Sequence, residues 1–194
     1  MQSGAHVEGY CVSNVISAMA YGQFCYRQPD EVGRRAMATT TFQRCLAMIA
    51  SVMREDAYRN YRVRLERLLQ IPTNASDQDI HELIEVGFLA DSVMALCNVG
   101  AIGPSERNQI VPLKTLKSRL VTRQRLTVQE SDRVFRFAHI TAMAMALFGS
   151  EEKAKRWLSK PKEHLSGKAP FALLSTYPGT RLVEEMLIQA ADAC

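Results

Sequence analysis

The sequence predicts an all-α protein built as a bundle of short helices, and three observations indicate this. Apolar residues recur at helical spacing in several segments, as at Phe42, Leu46 and Ile49. Helix-capping residues and helix breakers alternate along the second half of the chain. Runs with the two-residue alternation of strands are almost absent. With 194 residues, of which 47% are apolar, the chain can bury a core of ordinary size.

Composition limits the classes of protein to consider. No apolar run approaches the roughly 18 residues that a membrane span needs. The apolar residues near the N-terminus follow no basic residue, so a secretory signal is not expected, and the sequence predicts a cytoplasmic protein without a membrane partner. The formal net charge of +4 is too small to indicate nucleic-acid binding by itself.

The sequence contains no pattern of a catalytic, metal or cofactor site. Its five cysteines are scattered, and its four histidines do not fall at metal-binding spacing. The glycine-rich phosphate loops and the Gly-x-Ser-x-Gly motif are absent from the sequence. His139, in a predicted helix beside core residues, fits a packed histidine better than a base or a ligand. The protein is therefore not expected to be an enzyme.

Residues 1–75 are predicted to form an N-terminal arm and a helical extension. Residues 1–39 lack a clean period and suggest a loose arm. Thr41 is placed to cap a helix that runs to Met53. A second helix is predicted from near Asp56 to Gln70, where Ile71-Pro72 interrupts it.

Residues 76–125 read as several short helices joined by tight turns. Ser76 caps the first, and Pro112 suits the first position of the last, Leu113–Arg123. The segment from Arg107 to Arg125 holds six basic residues and no acidic one. This arrangement fits a helix-turn-helix, although any compact helical bundle has similar punctuation.

If this region reads DNA, the last helix is the recognition helix. Its predicted DNA contacts, with Arg123 and Arg125 on phosphates, are Lys114, Thr115, Lys117, Ser118, Arg119, Arg123 and Arg125.

Residues 126–194 carry the clearest helix signals. Thr127 and Glu130 form a capping box for a long helix that ends at Phe148-Gly149. Ser150 caps a helix that stops before Pro161, and Pro170 opens a short helix through Leu174. Tyr177-Pro178-Gly179 is predicted to turn the chain. The last helix, Thr180–Ala191, is then expected to bury Leu182, Val183, Met186, Leu187 and Ala190. Trp157, the only tryptophan, fits either the core of this region or an anchor at an interface.

The last region contains, in order, residues that match the sequence pattern of a known family. In order along the chain they are Glu130-Ser131, Arg133, Arg136, Phe148-Gly149, Trp157-Leu158, Pro161, Pro170, Leu173-Leu174, Thr176, Gly179, Val183 and Leu187. The pattern resembles the C-terminal toxin-binding domain of Xre/MbcA/ParS-type antitoxins. The resemblance implies an all-α bundle in which an Xre-like helix-turn-helix, residues 76–125, precedes a small toxin-binding module, residues 126–194.

The resemblance also implies a function. Similar antitoxins hold a RES-domain toxin inactive, and such toxins consume NAD or transfer ADP-ribose from it. The antitoxin does no chemistry; its C-terminal module covers the NAD pocket of the toxin, and the helix-turn-helix often represses the shared operon. The toxin contacts expected on this basis are Arg133, Arg136, Lys160, Tyr177, Arg181, Glu185 and the tail from Gln189 to Cys194.

Two other interpretations stay open at this stage. In the first, the chain is a helix-turn-helix transcriptional regulator whose main activity is binding operator DNA, and a homodimer is plausible because such proteins read paired half-sites. In the second, it is a helical scaffold with neither partner.

Overall fold

Nine α-helices and one 3-10 helix make up residues 53–192, the part of the chain that the computed structural model describes. The helices are α1 (Glu55–Leu69), α2 (Asp77–Val86), α3 (Asp91–Asn98), α4 (Pro104–Ile110), α5 (Leu113–Thr122), α6 (Val128–Phe148), α7 (Glu151–Ser159), the 3-10 helix (Glu163–Leu165), α8 (Pro170–Leu173) and α9 (Tyr177–Asp192). No strand occurs between residues 53 and 192, so the predicted all-α class is confirmed. The predicted arm over residues 1–39, the helix predicted after Thr41, and Cys194 lie outside this range.

The long helix α6 is the centre of the bundle. It packs against α1, α2, α3, α4, α7 and α9. Its first turn has the predicted capping box, in which the Thr127 hydroxyl accepts from the Glu130 amide and the Glu130 carboxylate accepts from the Thr127 amide. Twelve of its residues are buried, nine of them consecutive from Phe137 to Met145, so burial extends around its whole circumference. Neighbouring helices therefore cover α6 on every side.

Helix α1 lies directly against α6. Its buried face includes Tyr61, Leu65 and Leu68. The helix ends at Leu69, just before the predicted Ile71-Pro72 break, and Gln70 after it is in a left-handed conformation. The buried guanidinium of Arg62 donates to three backbone carbonyls in the turn after α1, those of Pro72, Thr73 and Ala75. The burial of this arginine is explained by its satisfying carbonyls that no helix bonds.

The segment from α2 to α5 follows the predicted helix boundaries closely. Ser76 caps α2 with a capping box, and Pro104 occupies the first position of α4. Pro112 is the N-cap of α5 rather than its first residue, a difference of one position. The connection after α2 is tied to α6, because the Phe88 amide donates to the buried Ser131 hydroxyl, 3.0 Å away.

The last helix starts earlier than the sequence predicted. Tyr177-Pro178-Gly179 forms the first turn of α9 and not a turn before it. Thr176 is the cap: its hydroxyl accepts from the Gly179 amide at 3.2 Å, and its carbonyl accepts from the Thr180 amide at 3.0 Å. A proline early in a helix loses no backbone hydrogen bond, which is why Pro178 is accommodated.

Among the helices within residues 53–192, none combines the length and the apolar character that crossing a membrane requires.

Candidate functional site

The outward face of α9 carries four of the predicted toxin contacts. Tyr177, Glu185 and Gln189 are exposed, and Arg181 is partly exposed beside Glu185, with 3.6 Å between guanidinium and carboxylate. Leu182, which the sequence predicted to be buried, is 50% exposed, and Tyr177 is 39% exposed. We define these five residues as the α9 outer face. Two of its side chains, Tyr177 and Leu182, are largely apolar, and the other three are charged or polar. This composition is suited to a protein interface.

The exposure of Leu182 follows from helix geometry. Val183 and Leu187 are fully buried, and Thr180 and Glu184 share their side of α9. Leu182 is about 100° from Val183 around the axis, on the side away from these four residues. The prediction grouped Leu182 with Val183 because both are apolar. A helical wheel that included Thr180 and Glu184 could have separated them.

A buried polar network holds the inner side of α9. The Tyr61 hydroxyl lies 2.7 Å from His139 Nδ1, and His139 Nε2 lies 3.0 Å from Glu184 Oε1. The His139 ring also stacks on Phe135, with 5.7 Å between ring centroids. His139 is thus a packed core histidine, as predicted, and its two polar partners on α1 and α9 could not be read from spacing.

The two arginines predicted on α6 make contacts within the chain. Arg136 donates to the carbonyls of Leu174 and Ser175, where α8 meets α9, and pairs with Asp132 at 2.6 Å. Burial lowers the pKa of its guanidinium, and the nearby charge of Arg133 acts in the same direction. Arg133 donates to the Gln109 carbonyl at 3.3 Å. Arg136 therefore helps to orient the start of α9 through bonds within the chain.

Lys160, the residue after α7, is exposed and has a second lysine close by in the sequence. Its neighbour Lys162 places its ammonium 4.8 Å from the centre of the Trp157 ring. Burial lowers the pKa of Lys162, and the charge of Lys160 lowers it further. Trp157 is partly buried against Phe148, so it sits at the rim of the core and not at its centre.

The predicted DNA contacts, on α5 and in the residues just after it, differ in their exposure and in their contacts within the chain. Lys114, Lys117, Ser118 and Arg123 are exposed, and Thr115 is partly buried. Arg119 instead pairs with the Glu130 carboxylate, the acceptor in the capping box of α6, and only 16% of its side chain is exposed. Arg125, predicted on a phosphate, donates to the Gly87 carbonyl at 2.7 Å. Five candidates are thus exposed, Arg125 among them, and Arg119 and Arg125 each make a contact within the fold.

Comparison with known proteins identifies the family. A family model described as the Antitoxin Xre/MbcA/ParS C-terminal toxin-binding domain matches residues 143–192. A protein named Antitoxin Xre from Pseudomonas putida is 56% identical over 146 residues, which cover 75% of this chain and 92% of the relative. The chain belongs to the Xre/MbcA/ParS family of antitoxins. A second Antitoxin Xre, from Yersinia enterocolitica, is 31% identical over 107 residues, covering 54% of this chain and 72% of that relative.

The antitoxin is thus a component of a toxin–antitoxin system, and its partner is a toxin. The matched segment includes all five residues of the α9 outer face, Lys160 and Trp157. It leaves out the first part of α6, with Arg133, Arg136 and His139, and it leaves out α1. The toxin-binding segment defined by the family model is therefore only a part of the body in which it is packed.

Proposed function

We propose that this antitoxin binds a RES-domain toxin through the α9 outer face and blocks the NAD site of the toxin sterically. The observation that carries the proposal is the pair of exposed apolar side chains, Leu182 and Tyr177, on a helix whose opposite side is fixed in the core. The RES class of the toxin rests on the sequence resemblance. Preorganised anchors favour tight binding because little conformational entropy is lost when the complex forms.

Charged residues complete the proposed interface. Arg181 and Glu185 border Leu182 on α9, and Gln189 extends the same face along the helix. Arg133, Arg136 and Lys160 stay predicted toxin contacts. For Arg136 the expected contribution is indirect, since its guanidinium is already bonded to the Leu174 and Ser175 carbonyls. Inhibition by covering a pocket needs no catalytic group on the antitoxin, consistent with a protein that is not an enzyme.

The proposed interface is tested by placing a charge in its apolar centre. Leu182→Glu should weaken binding to the cognate toxin by about 30-fold or more, the equivalent of about 2 kcal/mol for removal of a central anchor. Val63→Glu is the matched control, because Val63 is 44% exposed on α1 and lies outside this face. Affinities measured by calorimetry would contradict the proposal if both variants bound equally well.

The blocking mechanism has its own test. Titration of the isolated toxin with NAD, in the presence and absence of saturating antitoxin, should show that the antitoxin excludes NAD. A ternary complex in which the toxin binds NAD with unchanged affinity would contradict steric blocking, while leaving the interface itself intact.

A second activity, repression of the antitoxin's own operon, is supported by α5. Lys114 and Lys117 are exposed on one helix, within a segment that contains no acidic residue from position 107 to 125. Replacing both by Ala should weaken operator binding and reduce the slope of log affinity against log salt by about 0.9 for each DNA phosphate that is no longer neutralised. Lys153→Ala with Lys168→Ala removes the same charge elsewhere and should leave the slope unchanged.

The oligomeric state of the antitoxin matters for operator binding. A homodimer would place two copies of α5 on paired half-sites, so we expect the antitoxin to sediment as a dimer at the concentrations at which it binds its operator. A chain that binds operator DNA but not toxin would instead be a transcriptional regulator, the alternative function.

A further inference from the structure

Three helices meet at a chain of hydrogen-bonded polar side chains inside the core. Tyr61 of α1 is fully buried, His139 of α6 is 4% exposed and Glu184 of α9 is 7% exposed. Their side chains are linked at 2.7 Å and 3.0 Å. Burying such groups is unfavourable unless they are bonded, so the chain is maintained only in a geometry that satisfies it.

The chemistry of the groups fixes the direction of one of the two bonds. A carboxylate accepts hydrogen bonds, so the Nε2 atom of His139 donates to Glu184. The Tyr61 hydroxyl and His139 Nδ1 share the second hydrogen bond. The linked groups run from α1 through α6 to α9.

This arrangement constrains how α9 is rotated about its axis, in addition to the bonds from Arg136 to the carbonyls that precede the helix. Val183 and Leu187 hold α9 in the core, but apolar contacts are not directional and tolerate repacking. A hydrogen bond to Glu184 is directional. A helix turns about 100° per residue, so the position of Glu184 also sets where Arg181, Leu182 and Glu185 point.

We propose that Tyr61, His139 and Glu184 are positioning residues that orient the α9 outer face for the toxin, which makes α1 part of the toxin-binding unit. Neither Tyr61 nor His139 lies in the segment matched by the family model. The proposal rests on the proposed function for its consequence in toxin binding. Its structural part, that the network holds α9, is independent of the identity of the toxin.

The test removes a single hydroxyl from the 194-residue chain. Tyr61→Phe keeps the ring and deletes the atom bonded to His139. Tyr58→Phe is the matched control, because Tyr58 is on the same helix, only partly buried, and its ring is 6.0 Å from that of Tyr61. Amide hydrogen exchange is measured along α6 and α9, together with affinity for the cognate toxin and its Leu182 dependence.

We expect Tyr61→Phe to lower exchange protection in α9 by about five-fold, the equivalent of one hydrogen bond, with a smaller loss in α6, which other helices also cover. Toxin affinity should fall by a similar factor, and Leu182→Glu should weaken binding less in this background than in the wild type, since the two changes act on the same face. Tyr58→Phe should leave both quantities unaltered. Glu184→Gln should resemble Tyr61→Phe.

Two outcomes would overturn the inference. Equal losses of protection in α6 and α9 would show a network that only adds to overall stability. Unchanged toxin affinity despite a loosened α9 would show that its orientation is irrelevant to binding. If the wild-type chain binds no RES toxin, the proposed function fails, and the comparison of α6 with α9 still decides whether the network holds α9.

Discussion

At the scale of single residues, Glu130 joins two parts of the chain. Its carboxylate accepts from Thr127 in the capping box of α6 and from Arg119 of α5. Burial acts to raise the pKa of Glu130, but the bonds from Arg119 and Thr127 and the charge of Arg119 outweigh it and lower the pKa. The proton therefore binds more weakly to the folded state than to the unfolded one.

The lowered pKa of Glu130 predicts how the stability of the fold changes with pH. A lowered carboxylate pKa stabilises the fold above the unfolded value near 4.5, and the contribution is lost as the pH falls through the folded pKa. Glu130→Gln should reduce the free energy of unfolding by about 1–2 kcal/mol at pH 7. The difference from wild type should shrink below pH 4.5 in denaturant titrations.

Glu66→Gln is the control for this measurement, since Glu66 is exposed on α1 and its substitution should change stability by less than about 0.5 kcal/mol. A difference between Glu130→Gln and wild type that stayed constant down to pH 3 would contradict the role given to the charge.

At the scale of elements, the start of α9 depends on a glycine. A Cβ at Gly179 would overlap the Leu173 carbonyl oxygen, so α8 and α9 can approach this closely only with glycine there. The sequence showed Gly179 as a turn residue, since glycine beside proline usually marks a turn. Glycine is needed at this position because α8 packs closely against α9, and a sequence pattern does not reveal such packing.

We expect Gly179→Ala to destabilise the protein by about 2–3 kcal/mol through overpacking. Gly167→Ala is the comparison: its φ of 75° is left-handed, but no atom lies within 4 Å of the added methyl, so a loss of about 1 kcal/mol is expected. Thermal unfolding of the two variants measures the difference. Equal losses would indicate that α8 can shift away from α9 without cost.

At the scale of the whole molecule, helix positions were largely predictable and side-chain partners were not. Caps such as Ser76, Thr127 and Ser150 act locally, so their effect appears in consecutive residues. The bond between Tyr61 and His139 joins residues 78 positions apart and depends on how helices cross. The same reason explains why Arg119 and Arg136 were predicted as surface contacts: their partners could not be identified before the fold was known.

The proposed toxin and DNA surfaces belong to different helices and share no residue, so their functions should be separable. Lys114→Ala with Lys117→Ala should keep full toxin affinity while weakening operator binding. Leu182→Glu should do the reverse. Calorimetry with toxin and gel-shift titrations with operator DNA on the same preparations check this. A loss of both activities in either variant would indicate that one surface serves both partners.

The all-round burial of α6 has a consequence for engineering chimeric antitoxins. A graft that joined residues 126–194 to a foreign DNA reader would leave behind α1, α2 and α3, all of which cover α6. The apolar side chains of α6 that these helices cover would then face water and promote aggregation. Exchanging only the outward residues of α9 would avoid this. Specificity in this family should therefore be transplanted one exposed side chain at a time, on an unaltered core.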